Sequence, residues 1–289
     1  MNLRQKYHKL FILILTAQFC CLAMYAQHQM QSFNNNWHFI KKDIDQNKSF
    51  NKDEWQKISI PPYMEYRRLY SKRLLQGGIA WYHKTFTLSD RDKERQIYLR
   101  FEGVNQVASV YINGQLAGEH KGGYTSFTFN ITTYCTFDKE NTITVKVDNS
   151  ITDVPPISGD FTIFGGGIYR DIWLITTPDQ HIDLSDSGSD GIFIHTDNVS
   201  EKSAFYSIRS SIANDSRKKA KIKIIHTVRD PHRNIIKTLE KKLLLEAHQK
   251  KEIQQDAAIN NPLLWSPETP YLYTVETTIS DEISGGNIR

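Results

Sequence analysis

Cysteine is scarce in this sequence. Three cysteines occur among 289 residues, and two of them, Cys20 and Cys21, lie within the first 26 residues, which have the composition of an export signal. If that signal is removed, Cys135 is the single cysteine left. A single cysteine cannot form an internal disulfide, and a zinc cluster built from cysteines is excluded.

Long apolar runs are also scarce, and the one of note lies near the N-terminus. It occupies residues 10–15, with basic residues before it and small residues after it: Arg4, Lys6, Lys9, Ala23 and Ala26. This order is typical of a secretory signal peptide. A membrane anchor is the alternative, but the stretch 10–26 contains polar residues and is shorter than the roughly 20 apolar residues of a membrane-spanning helix. We predict a signal peptide over residues 1–26, a periplasmic or secreted location, and no membrane association after cleavage.

An excess of charge of one sign is missing from the rest of the chain. The formal net charge is +4, and residues 1–26 account for three positive charges and no negative ones, so +1 remains. A composition of 39% hydrophobic and 24% charged residues is that of a soluble globular protein. The basic segment 218–223 alternates as the solvated edge of a strand would. We therefore predict no nucleic-acid partner.

The helical period of 3.6 residues is missing from most of the chain. From about residue 33, apolar residues alternate with polar ones, as in half-buried strands. The clearest sets are Ile97, Leu99 and Phe101; Phe127, Phe129 and Ile131; and Ile143, Val145 and Val147. The pair Asn113-Gly114 between two such strands predicts a tight type I′ hairpin. These features predict an all-β fold arranged as a β-sandwich.

A second strand-rich region begins near Ile182, after the linker-like residues 176–181. Its strands recur about every ten residues, a spacing typical of an immunoglobulin-like sandwich. Residues 235–253 are rich in helix formers and carry apolar residues at helical spacing. The surrounding strands nevertheless favour two further strands there. The sequence closes on the turn-like DEISGGNIR, so we expect this sandwich to lack its last strand.

Four stretches together resemble the N-terminal half of glycoside hydrolase family 2, which includes β-galactosidases, β-glucuronidases and β-mannosidases. They are WYHKTF (81–86), FEGVNQVASVYINGQLAGEHKGGYTSF (101–127), GDFTIFGGGIYRDIWLI (159–175) and NPLLWSPETPYLYTVE (261–276). The resemblance implies a jelly-roll, galactose-binding-like β-sandwich over residues 27–178. It implies an incomplete immunoglobulin-like β-sandwich over residues 179–289, and the absence of the family's catalytic (β/α)8 barrel.

Several conspicuous residues within these stretches have structural interpretations. Trp81 and Phe86 are interpreted as sandwich core rather than as sugar-stacking rings. The glycines at 165–167 lack the spacing and the strand-to-helix context of a phosphate-binding loop. Arg170 and Asp171, which flank the strand IWLI, are interpreted as structural pairing residues.

Asp160 is the candidate substrate-binding residue. In the family that the sequence resembles, the loop before the GGIYR-like turn extends toward the active site, and an acidic residue there contacts the sugar in several members. Asp160 matches that position. An ionised carboxylate can accept hydrogen bonds from two sugar hydroxyls, and charge-assisted bonds are the stronger kind. A turn-capping role after Gly159 is the alternative.

No catalytic residue is predicted in this chain. Retaining glycoside hydrolysis needs two carboxyl groups about 5–5.5 Å apart on a rigid frame. In the family that the sequence resembles, both are glutamates of the barrel that follows the immunoglobulin-like domain. Glu102, Asp148 and Glu268 fall in motifs of the supporting domains, and none has a recognisable partner in the sequence. The resemblance likewise implies no metal ligand and no cofactor here.

The resemblance thus implies the N-terminal portion of an exported β-galactosidase-type hydrolase acting in carbohydrate degradation. The chain would supply scaffold and part of the pocket for a β-linked glycoside, and its partners would be a barrel domain or further copies in an oligomer. Three alternatives stay open: a stand-alone carbohydrate-binding module, a split gene product, and a parent enzyme of the β-glucuronidase or β-mannosidase type.

Overall fold

A computed structural model describes residues 28–44, 51–61, 78–150, 154–155, 166–281 and 287–288. Strands make up 59% of the structure and helix 4%, which confirms the predicted all-β class. The described residues form two compact units, one of residues 29–176 and 184–190, the other of residues 177–183 and 191 onward. Among the described residues, no helix has the length and apolar character needed to cross a membrane.

The first unit is a sandwich of two antiparallel sheets with a short two-stranded ladder. Its strands are β1 (Gln29–Ser32), β2 (Trp37–Ile40), β3 (Gln56–Ile58), β4 (Ile79–Thr87), β5 (Arg95–Phe101), β6 (Val104–Asn105), β7 (Val107–Ile112), β8 (Gln115–Lys121), β9 (Phe127–Asn130), β10 (Glu140–Asp148), β11 (Gly167–Ile168) and β12 (Ile172–Pro178). The sheets run in the orders β1-β12-β5-β9 and β3-β2-β4-β10-β7-β8, and β11 pairs with β6. Three single-turn 3₁₀ helices cover Lys52–Glu54, Asp90–Asp92 and Thr132–Tyr134.

The alternating residues of the sequence form the core of this sandwich. Ile97, Leu99 and Phe101 on β5 are fully buried and belong to one large apolar cluster with residues of β4, β7 and β10. Phe86 on β4, at 9% exposure, belongs to this cluster as predicted. Trp81 is buried at 2% exposure, but it is not a member of the cluster; it stacks on Tyr111 with ring centres 6.3 Å apart, because its side chain leaves the opposite face of the strand. Asn113 and Gly114 join β7 to β8 with φ of 50° and 78°, which confirms the type I′ hairpin.

A later piece of the chain, residues 184–190, also belongs to the first unit. Leu184 packs with Tyr98 of β5 and with Ile175 of β12. Arg100 donates to Asp190 Oδ1 at 2.6 Å and to the Ser189 carbonyl at 2.8 Å. These contacts fasten the segment to strand β5, so β5 is held by residues far along the chain.

The second unit is a sandwich of two smaller sheets. Its strands are β13 (Gln180–Ile182), β14 (Ile192–Asp197), β15 (Ser203–Asn214), β16 (Ala220–Arg229), β17 (Ile235–Leu245), β18 (Gln249–Asn260), β19 (Thr274–Asp281) and β20 (Asn287–Ile288). In one sheet β15 pairs with β18 on one side and with β13 and β14 on the other; the second runs β17-β16-β19-β20. Residues 235–253 lie in strands β17 and β18, as the sequence context favoured.

A layer of polar side chains divides the interior of the second unit. His226 of β16 is fully buried; its Nε2 lies 3.1 Å from Ser210 Oγ of β15 and its Nδ1 lies 2.8 Å from Thr277 Oγ1 of β19. One apolar cluster, with Ile212 and Ile224, lies on one side of this layer, and a second, with residues of β14, β15 and β19, lies on the other. The layer therefore joins the two sheets by hydrogen bonds.

Candidate functional site

Asp160, the predicted substrate-binding residue, lies outside the described residues. Two described residues precede it closely, Val154 and Pro155, and the described chain resumes at Gly166. The residues that hold these flanking positions follow strands β6, β8 and β11, and we call them the base of the candidate site. The role of Asp160 in substrate binding stays a prediction, and the base holds the described residues on either side of it.

The upstream flank is fastened to the turn that follows β8. The Gln106 side-chain amide donates to the Val154 carbonyl, and the Gly123 N–H donates to the Pro155 carbonyl at 2.8 Å. The Gly122 N–H in turn donates to the Gln106 carbonyl at 3.1 Å, with Gly122 at φ 140°. Gly123 thus presents its backbone N–H to the flank, and Gly122, in a backbone conformation that favours glycine, bonds to the backbone of the same Gln106 that holds Val154.

The downstream flank is held by backbone pairing and by two tyrosines. Gly167 and Ile168 pair with β6, and the Ile168 N–H donates to Tyr82 Oη at 3.2 Å. The Tyr169 hydroxyl donates to the Gly123 carbonyl at 2.6 Å, and burial raises the pKa of this tyrosine. A Cβ at Gly103 would lie 2.7 Å from Tyr169 Cζ, so a larger residue there would require the tyrosine ring to shift.

A third contact links the ends of two stretches that flank undescribed residues. The Gly78 N–H donates to Asn149 Oδ1 at 2.8 Å, and the Asn149 N–H donates to the Gly78 carbonyl at 3.1 Å. Gly166 lies so close to Asn149 that a Cβ would collide with the side-chain amide. Lys41 lies beside Gly78 in the same small cavity, and burial lowers its pKa.

The carboxylates near the base are engaged in structural contacts. Glu102 accepts a hydrogen bond from Trp173 Nε1 at 2.8 Å and pairs with Arg170 at 3.3 Å. Asp171 accepts from the Asn34 amide at 2.8 Å. Arg170 and Asp171 therefore make structural contacts, but their partners in these contacts are Glu102 and Asn34 rather than each other. Among the described residues, no group of histidine, cysteine and acidic side chains could hold a metal ion.

A second cluster of charged groups lies at the start of the second unit. His181 Nε2 lies 3.7 Å from Asp215 Oδ2, and Lys250 Nζ lies 3.0 Å from Asp183 Oδ1. Burial lowers the pKa of His181 and raises that of Asp215, although their mutual attraction opposes both shifts. His181 and Asp183 are at most 5% exposed. The cluster is consistent with a buried structural network.

The stretch NPLLW…PYLY forms an apolar groove at one end of the second unit. The groove has a volume of about 310 Å³, and its most exposed linings are Trp265 and Leu272, at 60% and 68% exposure. Tyr206 lies beneath them, and its hydroxyl has no hydrogen-bond partner among the described residues. Large exposed apolar surfaces of this kind mark contacts with other molecules or segments.

Comparison with known proteins gives the family. The model of the glycosyl hydrolases family 2 sugar binding domain matches residues 30–178, and a second family 2 model matches residues 180–285. Together they span most of the chain. The chain belongs to glycosyl hydrolase family 2.

The individual relatives are named either beta-galactosidase or beta-glucuronidase. A beta-galactosidase of Thermoanaerobacter pseudethanolicus is 34% identical over 87% of this chain and 33% of the relative, and a beta-glucuronidase of Formosa agariphila is 30% identical over 89% and 28%. The crystal structure of a Bacteroides uniformis beta-glucuronidase superposes with a TM-score of 0.85 at 41% identity, over 90% of this chain and 31% of that one. The chain spans about a third of the length of these proteins.

Proposed function

We propose that this chain is the non-catalytic N-terminal part of an exported β-glycosidase of the β-galactosidase type that acts in carbohydrate degradation. The observation that carries the proposal is the pair of family 2 matches, in order and adjacent, over residues 30–178 and 180–285. Relatives with hydrolase names continue over about twice as much additional sequence. In the proposed parent, that additional part performs the chemistry.

The chain's own role in this proposal is scaffold and one wall of the substrate pocket. Asp160 would accept hydrogen bonds from hydroxyls of the bound sugar, because an ionised carboxylate offers several acceptor sites. The base formed by Gln106, Gly123 and Tyr169 supports this role, since it fixes both flanks of the segment by hydrogen bonds.

The proposed parent reaction retains configuration at the anomeric carbon. Such a reaction uses one carboxylate as nucleophile and a carboxyl group about 5–5.5 Å away as acid and then base. In the proposal neither group belongs to this chain, and the partners are the β-linked glycoside and the barrel domain. No catalytic residue is assigned among residues 1–289.

A β-glucuronidase parent is the second candidate. It is favoured by the 41% identity with the Bacteroides uniformis beta-glucuronidase, which exceeds the 34% identity with the beta-galactosidase of Thermoanaerobacter pseudethanolicus. Sequencing the gene downstream of the codon for Arg289 tests both parents. A reading frame encoding a barrel with two glutamates at strand ends supports the proposal, and activity of that product on nitrophenyl β-galactoside or β-glucuronide decides between the sugars.

The role of the chain can be tested by exchange. We expect a chimera in which residues 28–281 replace the matching third of the Bacteroides uniformis enzyme to keep activity on nitrophenyl β-glucuronide. Asp160→Asn should lower kcat/KM by at least about tenfold through the loss of charge-assisted bonds. Asp53→Asn, on an exposed 3₁₀ turn, is the matched control and should leave kcat/KM unchanged. Full activity of the Asp160→Asn chimera would contradict a role for Asp160 in binding the sugar.

Two further outcomes bear on the proposal. The 289-residue chain alone should not hydrolyse nitrophenyl β-galactoside above the buffer rate, and turnover that depends on Asp160 would contradict the absence of catalytic residues. Export predicts that the mature protein begins at Gln27, which N-terminal sequencing of material secreted by the expression host would test. A mature protein that retains residues 1–26 would contradict export by a cleaved signal.

A further inference from the structure

The outer face of strands β14, β15 and β18 carries an exposed aromatic ring among hydrogen-bonding side chains. We call this surface the outer face; it is formed by His195, Asp197, Phe205, Ser207, Gln254 and Asp256. These residues line a shallow depression of about 510 Å³. The depression lies on the second unit, away from the inward side chains of the same strands.

Strand register places the outer-face residues in two neighbouring rows. Phe205, on the central strand, lies between Asp197 and Ala258, and Ser207 lies between His195 and Asp256. Phe205 is 51% exposed, whereas its neighbours along β15 are buried. Its small neighbour Ala258 leaves one side of the ring open. An apolar ring is thus presented to solvent near one end of the central strand.

The two carboxylates near the ring are each oriented by one hydrogen bond, and each keeps a second oxygen that can accept another. Asp256 Oδ1 accepts from Gln254 Nε2 at 2.7 Å, and Asp197 Oδ1 accepts from the Asn198 N–H at 2.8 Å. No hydrogen bond within the described chain reaches the second oxygen of either carboxylate. Two acceptors are therefore held on opposite sides of strand β15, one in the Phe205 row and one in the neighbouring row, and remain available to a ligand.

The charge of the outer face is negative. Arg209, two residues after Ser207 on the same face of β15, pairs with Glu252 at 2.5 Å and lies 4.3 Å from the ring centre of Phe193. Its charge is therefore offset, and the two aspartates are left without a cationic partner. A negative surface attracts hydroxyl donors and repels anionic groups.

We propose that the outer face binds a neutral oligosaccharide. A pyranose ring presents C–H groups on its face, which can pack on Phe205, and hydroxyl donors on its edge, which can bond to Asp197 and Asp256. A site with an apolar platform and few convergent polar groups suits such a ligand. The negative charge excludes chains that carry uronic acids. This site goes beyond the proposed function, because it lies on the immunoglobulin-like unit and recognises sugar without reaction.

Titration calorimetry on the full 289-residue chain tests the proposal. The probes are a neutral galacto-oligosaccharide, a neutral cello-oligosaccharide and an oligosaccharide of the same length that ends in glucuronate. We expect saturable binding of at least one neutral probe and weaker binding of the acidic one. No saturable binding of either neutral probe, or a preference for the acidic probe, would overturn the proposal.

Four variants locate the binding. Phe205→Ala should weaken neutral binding about tenfold, the loss expected from one ring contact, whereas Phe205→Trp should keep it. Leu244→Ala, at a position 49% exposed on the other sheet, is the matched control and should bind as the parent chain does. Asp256→Asn removes one negative charge and should therefore reduce the difference in affinity between the neutral and the acidic probes. Equal binding by Phe205→Ala and the parent chain would place the sugar elsewhere and refute the assignment.

Discussion

The interiors of the two units are built differently. The first has one large apolar cluster in which Phe101 stacks on Phe127 with ring centres 4.9 Å apart. The second has two apolar clusters separated by the hydrogen-bonded layer of Ser210, His226 and Thr277. Close packing alone tolerates many arrangements of similar volume. A buried polar layer is satisfied in only one register, so we infer that it fixes how the two small sheets face each other.

The largest expected effect tests whether the first interior acts as one unit. Phe101→Ala removes a fully buried ring and should cost the first unit about 3–5 kcal/mol. The second unit should keep its stability, because its clusters contain no residue of β5. Hydrogen exchange with mass spectrometry in increasing urea reads the two units separately. An equal loss in both units would contradict separate interiors.

Replacement of the central histidine tests the polar layer. His226→Leu leaves the hydroxyls of Ser210 and Thr277 without their buried partner, and we expect a loss of up to about 3 kcal/mol in the second unit. Replacing all three residues, with Ser210→Ala and Thr277→Val added, should recover most of that loss because no orphaned group remains. Urea unfolding of both variants measures the difference. A triple variant as unstable as the single one would show that packing volume, not hydrogen bonding, dominates.

The segment 184–190 offers a test within the first unit. Gly188 has φ 73°, and an added Cβ would lie 2.6 Å from the Ser126 carbonyl carbon. Gly114 has a similar φ of 78°, but nothing lies within 4 Å of its added Cβ. Gly114→Ala should therefore cost only the left-handed strain, about 1–2 kcal/mol. Gly188→Ala should cost more, as read by thermal unfolding, and equal costs would argue that the segment is loosely held.

Both units contain a histidine whose burial lowers its pKa to about 4: His83 and His226. The ordinary value is 6.5, so the unfolded chain binds more protons than the folded one between pH 6.5 and 4. Stability should be complete above pH 6.5 and should fall as the pH drops toward 4. Without His226, the triple variant should lose this dependence in the second unit and keep it in the first, where His83 remains. Hydrogen exchange at pH 5 and pH 7 checks the difference, and an unchanged pH dependence in the second unit would refute the assignment.

Surface ion pairs should give the smallest effect. Arg229 lies 3.5 Å from Glu276 in the second unit, and both side chains are at least one-third exposed. Arg229→Gln should cost under about 1 kcal/mol. Arg100→Gln in the first unit should cost more, because the Arg100 side chain is only 12% exposed and holds both Asp190 and the Ser189 carbonyl. Thermal unfolding compares the two variants, and the reverse order would contradict the described attachment of residues 184–190.

Local signals allowed much of the fold to be predicted. The Asn113-Gly114 turn and the alternation in β5 depend on neighbouring residues, and both are confirmed. Helix formers in residues 235–253 were outweighed because β17 pairs along its length with the preceding strand β16, and β18 pairs with the more distant β15. Strand pairing of this kind overrides intrinsic propensity.

Long-range features were not predictable in the same way. His226 contacts residues 16 and 51 positions away, so its alternating position indicates burial but not its partners. On β15, Tyr206 alternates with Ile208 and Phe205 with Ser207, so periodicity indicates that Phe205 faces solvent but not which residues of β14 and β18 surround it. The role of Asp160 came from the family resemblance rather than from local chemistry, and it stays a prediction.

The attachment of residues 184–190 has a consequence for exchanging domains between relatives. The sugar-binding family match ends at residue 178, but the residues that clamp Arg100 and cover Tyr98 come after it. A crossover at residue 178 would transfer the first sandwich without its own residues 184–190. The strand β5 of the graft would then meet the corresponding segment of the other protein. Grafts that keep residues 184–190 with their original strand β5 should therefore be the ones that are recovered as soluble protein.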